Sequence, residues 1–431
     1  WSSAVGFAMV DTRGAQDVRV TQTTDRSAFL GRHGLVSRPE ALRDAGVFDG
    51  ATGPLHDACF AHRIAFTIAP GEHAELQVIL GEAASETELR QLLDRLADPA
   101  ADPAARSAEN VARWRARVDG VRITTPAPEL DLMVNAWLPY QTISCRMWGR
   151  SAFYQSGGAF GFRDQLQDAL SLLPIAPEIA REQIVRNASH QFPEGDVLHW
   201  WHPPLSQGMR TRFADDLLWL PYLAGTYVRS TGDYAVLDEV TPFLNARPLE
   251  AGEDEVYLRP AVSGESASIY EHAARTIDRS LTTGVHGLPL FGCGDWNDGM
   301  NRVGHEGSGE SVWLGWFLAF VLKEFAPLCD LRDRSDLGTR YRNESKWLAG
   351  MLELSWDGDW YRRAYFDDGT PLGSTQNDEC RLDSVTQSWA VLSSAADPKR
   401  AARAMEAVRA HLVRRDAQLV LLLTPPFDKM T

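Results

Sequence analysis

The spacing of apolar residues changes along the chain, and the changes mark its parts. Up to residue 85 apolar and polar positions alternate with a period near two. Ala4–Asp11, Asp17–Thr24, His62–Ile68 and His73–Leu80 read as short strands. Arg13-Gly14 separates the first two, and Pro70-Gly71 between the last two reads as a hairpin turn. Two packed sheets would account for such a run of strands. From residue 85 the period lengthens. Ser85-Glu86-Thr87-Glu88 is a capping-box start for a helix with Leu89, Leu92, Leu93 and Leu96 on one face. Ala97–Ala105 is rich in Pro and Asp and reads as a linker. Ser107–Val118 reads as a second helix. From about residue 126 the pattern predicts helices over 129–144, 164–175, 177–189, 212–230, 233–245, 265–282, 310–327, 333–353, 381–395 and 398–414. Short and long loops alternate between them, which predicts helical hairpins arranged in a ring. The expected organisation is therefore a β-sandwich over 1–85, a helical linker over 86–125 and a helical domain over 126–431.

Composition narrows the functional classes. The 431 residues are 44% hydrophobic and 10% aromatic, so the chain is not disordered and can bury a large core. A net charge of −15 without a basic stripe argues against nucleic acid as a partner. The longest apolar run, Val312–Leu322, is too short to span a bilayer, and no signal-peptide pattern opens the chain at Trp1. Cysteines at 59, 145, 293, 329 and 380 are odd in number, widely spaced and without a CxxC pair. That argues against a disulfide framework or a zinc site and for reduced thiols in a cytoplasmic setting. No GxGxxG, GxxxxGK[ST] or GxSxG occurs, so dinucleotide, P-loop and α/β-hydrolase readings lose support.

The candidate chemistry sits in three loops. In Gly292–Asn301 the residues Asp295-Trp296-Asn297-Asp298 lie between glycines that permit sharp turns. An indole can stack on the C–H face of a pyranose while a carboxyl group protonates a leaving oxygen. The same pattern also suits an Asx-turn loop in which Asp295 and Asn297 cap backbone amides. In Gly157–Asp168, Asp164 and Asp168 are i,i+4 on a helix and face one way, and Arg163 offers a forked donor. Asp164 could equally be an N-cap or a first-turn acid favoured by the helix dipole. The third loop is His199-Trp200-Trp201-His202, followed by Arg210 to Asp216. Paired tryptophans suit a carbohydrate platform or a core. An HxxH metal site lacks a third ligand at a recognisable spacing.

Taken together these segments resemble inverting phosphorylases of glycoside hydrolase family 94. The residues that carry the resemblance are Gly157–Asp168, Phe192–Pro204, Arg212–Asp216, Gly292–Asn301, Gly309–Leu314 and Asp383–Ala390, in the family's order. Among family members they are closest to the phosphorylase-like region of cyclic β-1,2-glucan synthases and to β-1,2-oligoglucan phosphorylases. The resemblance implies an N-terminal β-sandwich, a helical linker and an (α/α)6 barrel that is incomplete at the C-terminus. It implies cleavage of a β-glucoside, β-1,2 by preference, by inorganic phosphate with inversion, giving an α-sugar 1-phosphate and needing no cofactor or metal.

Matched residue by residue, Asp298 is the general acid. Trp296 lies at the −1 sugar, Arg163, Asp168 and Asp164 bind its hydroxyls, and His199, Trp200, Trp201 and His202 line the cleft. Asp295 stands beside the substrate as a loop-bracing acceptor, and Arg210 and Arg212 are weaker candidates. The family's remaining phosphate-gripping segments have no counterpart up to Thr431, so the chain by itself is expected to lack part of that site. A homodimer and a fusion to a membrane glycosyltransferase at the cytoplasmic face of the inner membrane are further expectations. The competing enzyme is an inverting hydrolase using Asp164, Asp168, Asp215 or Asp216 as base. The non-enzyme alternative is a glucan-binding or chain-length-measuring module.

Overall fold

The computed structural model describes residues 4–13, 15–43, 48, 50–52, 57–96, 102–150 and 157–429. Gly14 of the first expected turn and residues 97–101 of the expected linker lie outside them. The chain divides into two compact units, Trp1–Asn110 and Val111–Thr431.

Among its described residues the first unit holds four antiparallel strands, β1 (Val5–Arg13), β2 (Gln16–Asp25), β3 (Ala58–Thr67) and β4 (Glu75–Ala83). The hairpin expected across Pro70-Gly71 does not form. β3 pairs with β2, and β4 pairs with β1, Val5 facing Ala83. The seven residues between Thr67 and Glu75 carry the chain from one sheet to the other instead of closing a tight turn. The sheets approach where the Phe60 ring of β3 lies 3.6 Å from a Cβ position on Gly6 of β1. Asp25 caps a short helix, α1 (Arg26–Leu30), by accepting from the Ser27 amide. In α2 (Glu86–Leu96) Glu88 accepts from the Ala84 amide at 2.7 Å, and Ser85 Oγ accepts from the Glu88 amide at 3.2 Å. This is the reciprocal cap expected from the sequence. The division between the units falls within α3 (Pro103–Val118).

The second unit is mainly helical. Pro128–Trp148 is one continuous rod in which α4 (Pro128–Leu132) and α5 (Leu138–Gln141) alternate with two π-helical stretches. The following helices are α6 (Phe162–Leu170), α7 (Pro177–Ala188), α8 (Asp216–Thr231), α9 (Ile269–Ser280), α10 (Val312–Asp330), α11 (Ser335–Glu353), α12 (Ser384–Leu392) and α13 (Pro398–His411). They form two layers. In the inner row α6 packs on α8, α8 on α10 and α10 on α12; α7, α9, α11 and α13 back them. α10 is long and apolar enough to cross a membrane, but fourteen of its residues, from Val312 to Cys329, are buried in the core. A helix that is apolar all round is here a core helix.

One expected helix does not form and several helix ends differ from expectation, α6 stopping at Leu170 rather than 175 and α8 starting at Asp216 rather than 212. Residues 233–245 give one 3-10 turn and then β8 (Val240–Asn245), paired antiparallel with β10 (Ala261–Ser268). Thr241 and Phe243 point inward while Val240 is exposed, a strand alternation, and Pro242 has no amide for a helix interior. α9 consequently begins only at Ile269, with the Ser268 hydroxyl accepting from the Glu271 amide.

Short strands precede the inner helices. An antiparallel sheet runs β5 (Phe160–Gly161), β6 (Leu198–His202), β7 (Gln207–Thr211), β9 (Glu255–Leu258). A smaller one runs β11 (Glu310–Ser311), β12 (Ala364–Tyr365), β13 (Pro371–Leu372). Gly161, Asp215, Ser311 and Asp383 are the N-cap residues of α6, α8, α10 and α12. The inner row thus presents its N-terminal ends together, and the candidate chemistry gathers there.

Candidate active site

The segment Gly292–Asp298 is laid against Arg212–Ala214. The Cys293 amide donates to the Arg212 carbonyl and the Ala214 amide to the Gly294 carbonyl at 3.0 Å. Gly292 has φ +65°, and a Cβ there would stand 2.0 Å from the Arg212 carbonyl oxygen. Only glycine permits that approach. Beneath the loop Asp295 is fully buried. Its carboxylate accepts from Arg363 at 2.6 Å and from the Ser311 hydroxyl at 2.8 Å. Arg363, 1% exposed, also faces Asp383 at 3.6 Å. Both cap residues, Ser311 and Asp383, therefore serve the brace under the loop as well as their own helices.

On the solvent side lies a cavity of about 520 Å³. Its walls are Arg146, Arg163, Asp164, Gln167 and Asp168 from the first hairpin, His199 and Trp200 from β6, and Trp296 and Asp298 from the loop. Arg163 is the hub. It donates to Asp298 Oδ1 at 2.9 Å, to the Asp295 carbonyl at 3.2 Å and to buried Asp215 at 3.3 Å. Burial pushes the Asp215 carboxyl up to about 7 against the opposing pull of Arg163. Arg146 donates to Asp168 at 2.6 Å and stands 3.6 Å from Asp164. Burial raises the Asp168 carboxyl, and Arg146 holds it back. His199 stacks on Phe213, centroids 4.4 Å apart, with Nδ1 2.7 Å from Asp216. Burial would keep this imidazole neutral, yet the Asp216 carboxylate outweighs it and raises His199 above its ordinary value. Trp296 is tied by its Nε1 to Gln167 at 3.4 Å. Asp298 projects with its side chain 55% exposed, whereas Asp164 and Asp168 are at 29% and Asp215 and Asp216 at 2% or less.

Residues 113–431 match the glycosyl hydrolase 94 superfamily catalytic domain, and residues 2–99 match the glycosyl hydrolase 94 supersandwich domain. The chain belongs to glycoside hydrolase family 94. Cyclic beta-(1,2)-glucan synthase NdvB of Rhizobium meliloti is 43% identical over 94% of this chain and 14% of its own length. Solabiose phosphorylase of Paenibacillus borealis is 29% identical over 94% of this chain and 49% of its own length. 1,2-beta-oligoglucan phosphorylase of Listeria innocua is 23% identical over 70% of this chain and 28% of its own length. The chain thus spans about half or less of the length of these relatives.

Within this family 94 chain the structure brings Arg163, Asp164, Asp168, His199, Trp200, Trp296 and Asp298 to one cavity. It does not bring all the expected residues. Trp201 is a core residue, 1% exposed and stacked 3.8 Å from His190. Trp200 and Trp201 face opposite sides of β6, and a register shift between Leu198 and Trp200 breaks the alternation so that His199 and Trp200 share the cavity face. His202 bonds to the Gly157 carbonyl at 3.1 Å and lies outside the cavity walls. Asp295 braces the loop from below, and its buried carboxylate does not reach the cavity. Arg210 is fully buried between Asp196, Glu194 and two backbone carbonyls, and Arg212 pairs with Asp254. Asp164 is not the cap of α6, since Gly161 occupies that position.

Sequence reasoning missed Arg146, Gln167 and Arg363. Arg146 sits on a π-helical stretch outside any motif, and Arg363 lies 68 residues from the aspartate it holds. Only the isolated acids Asp168 and Asp295, both needing a cation when buried, hinted at them.

Proposed function

We infer that this site cleaves β-glucosides by phosphorolysis with inversion, with Asp298 as the acid and inorganic phosphate as the nucleophile. The observation that carries the reading is the division of labour among the carboxylates. Asp164 and Asp168 are held by Arg146, Asp215 by Arg163 and Asp216 by His199. Asp298 alone among them projects into the cavity more than half exposed. Its Oδ1 accepts from Arg163, so Oδ2 is the oxygen left to carry a proton to the leaving group. A hydrolase would need a second carboxylate placed to activate water, whereas phosphate is already a nucleophile. The N-terminal ends of the inner helices, which gather at this site, favour an anion.

Trp296 supplies the face for a pyranose, and Asp168 with Arg146 its hydroxyl partners. The name of the relative NdvB favours a β-1,2-linked glucan as substrate. The remaining helices of an (α/α)6 barrel, the rest of the phosphate grip and any synthase region would belong to the complete protein.

The test is made on the complete reading frame. α-Glucose 1-phosphate should appear from β-1,2-glucan only when phosphate is present. Asp298→Asn keeps the shape and removes the proton, so turnover should fall by about 10² or more. A glucosyl fluoride or aryl glucoside, whose leaving group needs little protonation, should recover much of the loss. Phosphate-independent release of reducing sugar would move the assignment to hydrolysis. Near-normal phosphorolysis by Asp298→Asn would remove Asp298 as the acid.

A further inference from the structure

A second cavity, of about 710 Å³, lies on the other side of β11 from the braced loop. Its floor is a stripe on the outer helix α11. Trp347, Met351 and Leu354 follow helical spacing, with Trp347 44% and Leu354 71% exposed, while Leu348 and Leu352 of the same helix face the core. The stripe closes over the chain at Gly287, where φ is +73° and a Cβ would come within 2.9 Å of Met351.

The opposite wall is polar and rigid. His286 stacks on Tyr365 at 3.8 Å, and its Nδ1 lies 2.5 Å from Glu310. Glu310, 1% exposed, also accepts from the amides of His286 and Leu288. With Nδ1 so engaged, His286 Nε2 has no hydrogen-bond partner among the described residues. Arg362 spends three of its five N–H groups on Asp357 and Tyr365, which leaves two for a ligand. Arg362 is matched by Asp357 and His286 lies against Glu310, and both carboxylates are less than a tenth exposed.

We propose that this groove, between α11 and the His286–Tyr365 wall, is a second binding site for a neutral glucan chain. An apolar floor ending in a half-exposed indole, a few fixed hydrogen-bonding groups and cancelled charge complement a polyhydroxylated, uncharged ligand. They do not complement a phosphate, which would find no net positive charge. The assignment to glucan rests on the substrate reading above. β11 ties the groove to the reaction centre. Glu310 fixes the groove wall, and the next residue, Ser311, turns to the other face and holds Asp295. A chain seated in the groove would therefore be anchored on the scaffold that carries the Asp298 loop.

The test uses the complete protein with ¹³C-methyl-labelled methionine. Met351 reports the groove, and Met300, in the turn that begins at Asp298, reports the reaction centre. Linear β-1,2-glucan oligosaccharides are titrated without phosphate. Both methyl signals should shift and saturate. Trp347→Ala should weaken the Met351 response at least about tenfold and leave the Met300 response in place. Leu354→Asp, at a position exposed enough to accept charge, should do the same and guards against a folding defect in the first variant. A Met351 signal that stays still while Met300 moves would overturn the groove and leave the substrate reading standing. So would a Met351 shift unchanged by both substitutions. Silence at both methyls would overturn the substrate reading and the groove with it.

Discussion

Arg363→Met should separate the brace from the chemistry. Arg363, Asp295 and Asp383 are each 2% exposed or less, and the guanidinium stands 2.6 and 3.6 Å from the two carboxylates. Removing one partner of a buried pair costs about 3–5 kcal/mol, because a charge is left without compensation. Here two acids lose their shared cation, so the upper end applies, or roughly three to four orders of magnitude in the folding constant. The loss should depend on pH. Burial already raises the Asp383 carboxyl, and Arg363 opposes that rise. Without Arg363 the Asp383 carboxyl sits higher still in the folded chain than in the unfolded one. Stability is then retained in acid and lost as pH climbs through the folded-state value, so the penalty should be larger at pH 8 than at pH 5. Thirteen of the fourteen tryptophans lie within 111–431, so fluorescence-detected urea unfolding reads this unit. Adding Asp295→Leu should recover part of the loss, since an apolar replacement of a buried pair is tolerated. A penalty under about 1 kcal/mol, or one equal at both pH values, would refute the brace.

Two further outcomes concern the cavity walls. Arg146→Leu strips the charge-assisted bond from Asp168, worth roughly 1.5–3 kcal/mol, so kcat/KM for glucan should fall about ten- to a hundredfold with KM rising. An unchanged KM would remove Arg146 from the sugar site. In Asp216→Asn the His199 ring should titrate below its ordinary value of about 6.5 instead of above it, as read by imidazole NMR. The folded-state value of His199 is raised, so its stabilising share is present in acid and lost as pH rises through that value. Asp216→Asn should therefore destabilise more at pH 6 than at pH 9, and the reverse order would refute the pairing.

Much of this was legible in the sequence, and the misses have physical causes. Helices such as Pro177–Ala188 and Pro398–His411 carry a long period and a proline at the first turn, which fix type and start alike. The stretch Val240–Asn245 is too short for period alone to tell helix from strand. The β3–β4 connection contains turn residues, but pairing partners are set by which faces need covering, and local sequence does not state that. Asp298, Trp296 and Asp168 stood out because a glycine-flanked acid–indole loop and an i,i+4 acid pair are local patterns. Trp201 was misjudged because its place in a strand, hidden in a loop-like segment, turns it away from the cleft, and His202 because its ring bonds to the Gly157 carbonyl. Arg146 and Arg363 reach their partners only through the tertiary fold.

The five residues from Arg212 to Asp216 act as a jig. The Arg212 carbonyl and Ala214 amide seat the acid loop, Asp215 sets Arg163, and Asp216 sets His199. Inserting or deleting one residue here would misalign three tools at once. Length variation in this stretch is therefore closed to natural or laboratory evolution. New acceptor preferences must come from side chains outside that jig. Trp200 is one: its ring lines the cavity and packs on the neighbouring rings of His202 and Tyr257, while the backbone of β6 does the holding. Libraries aimed at altered substrate range should vary such positions and leave the jig untouched.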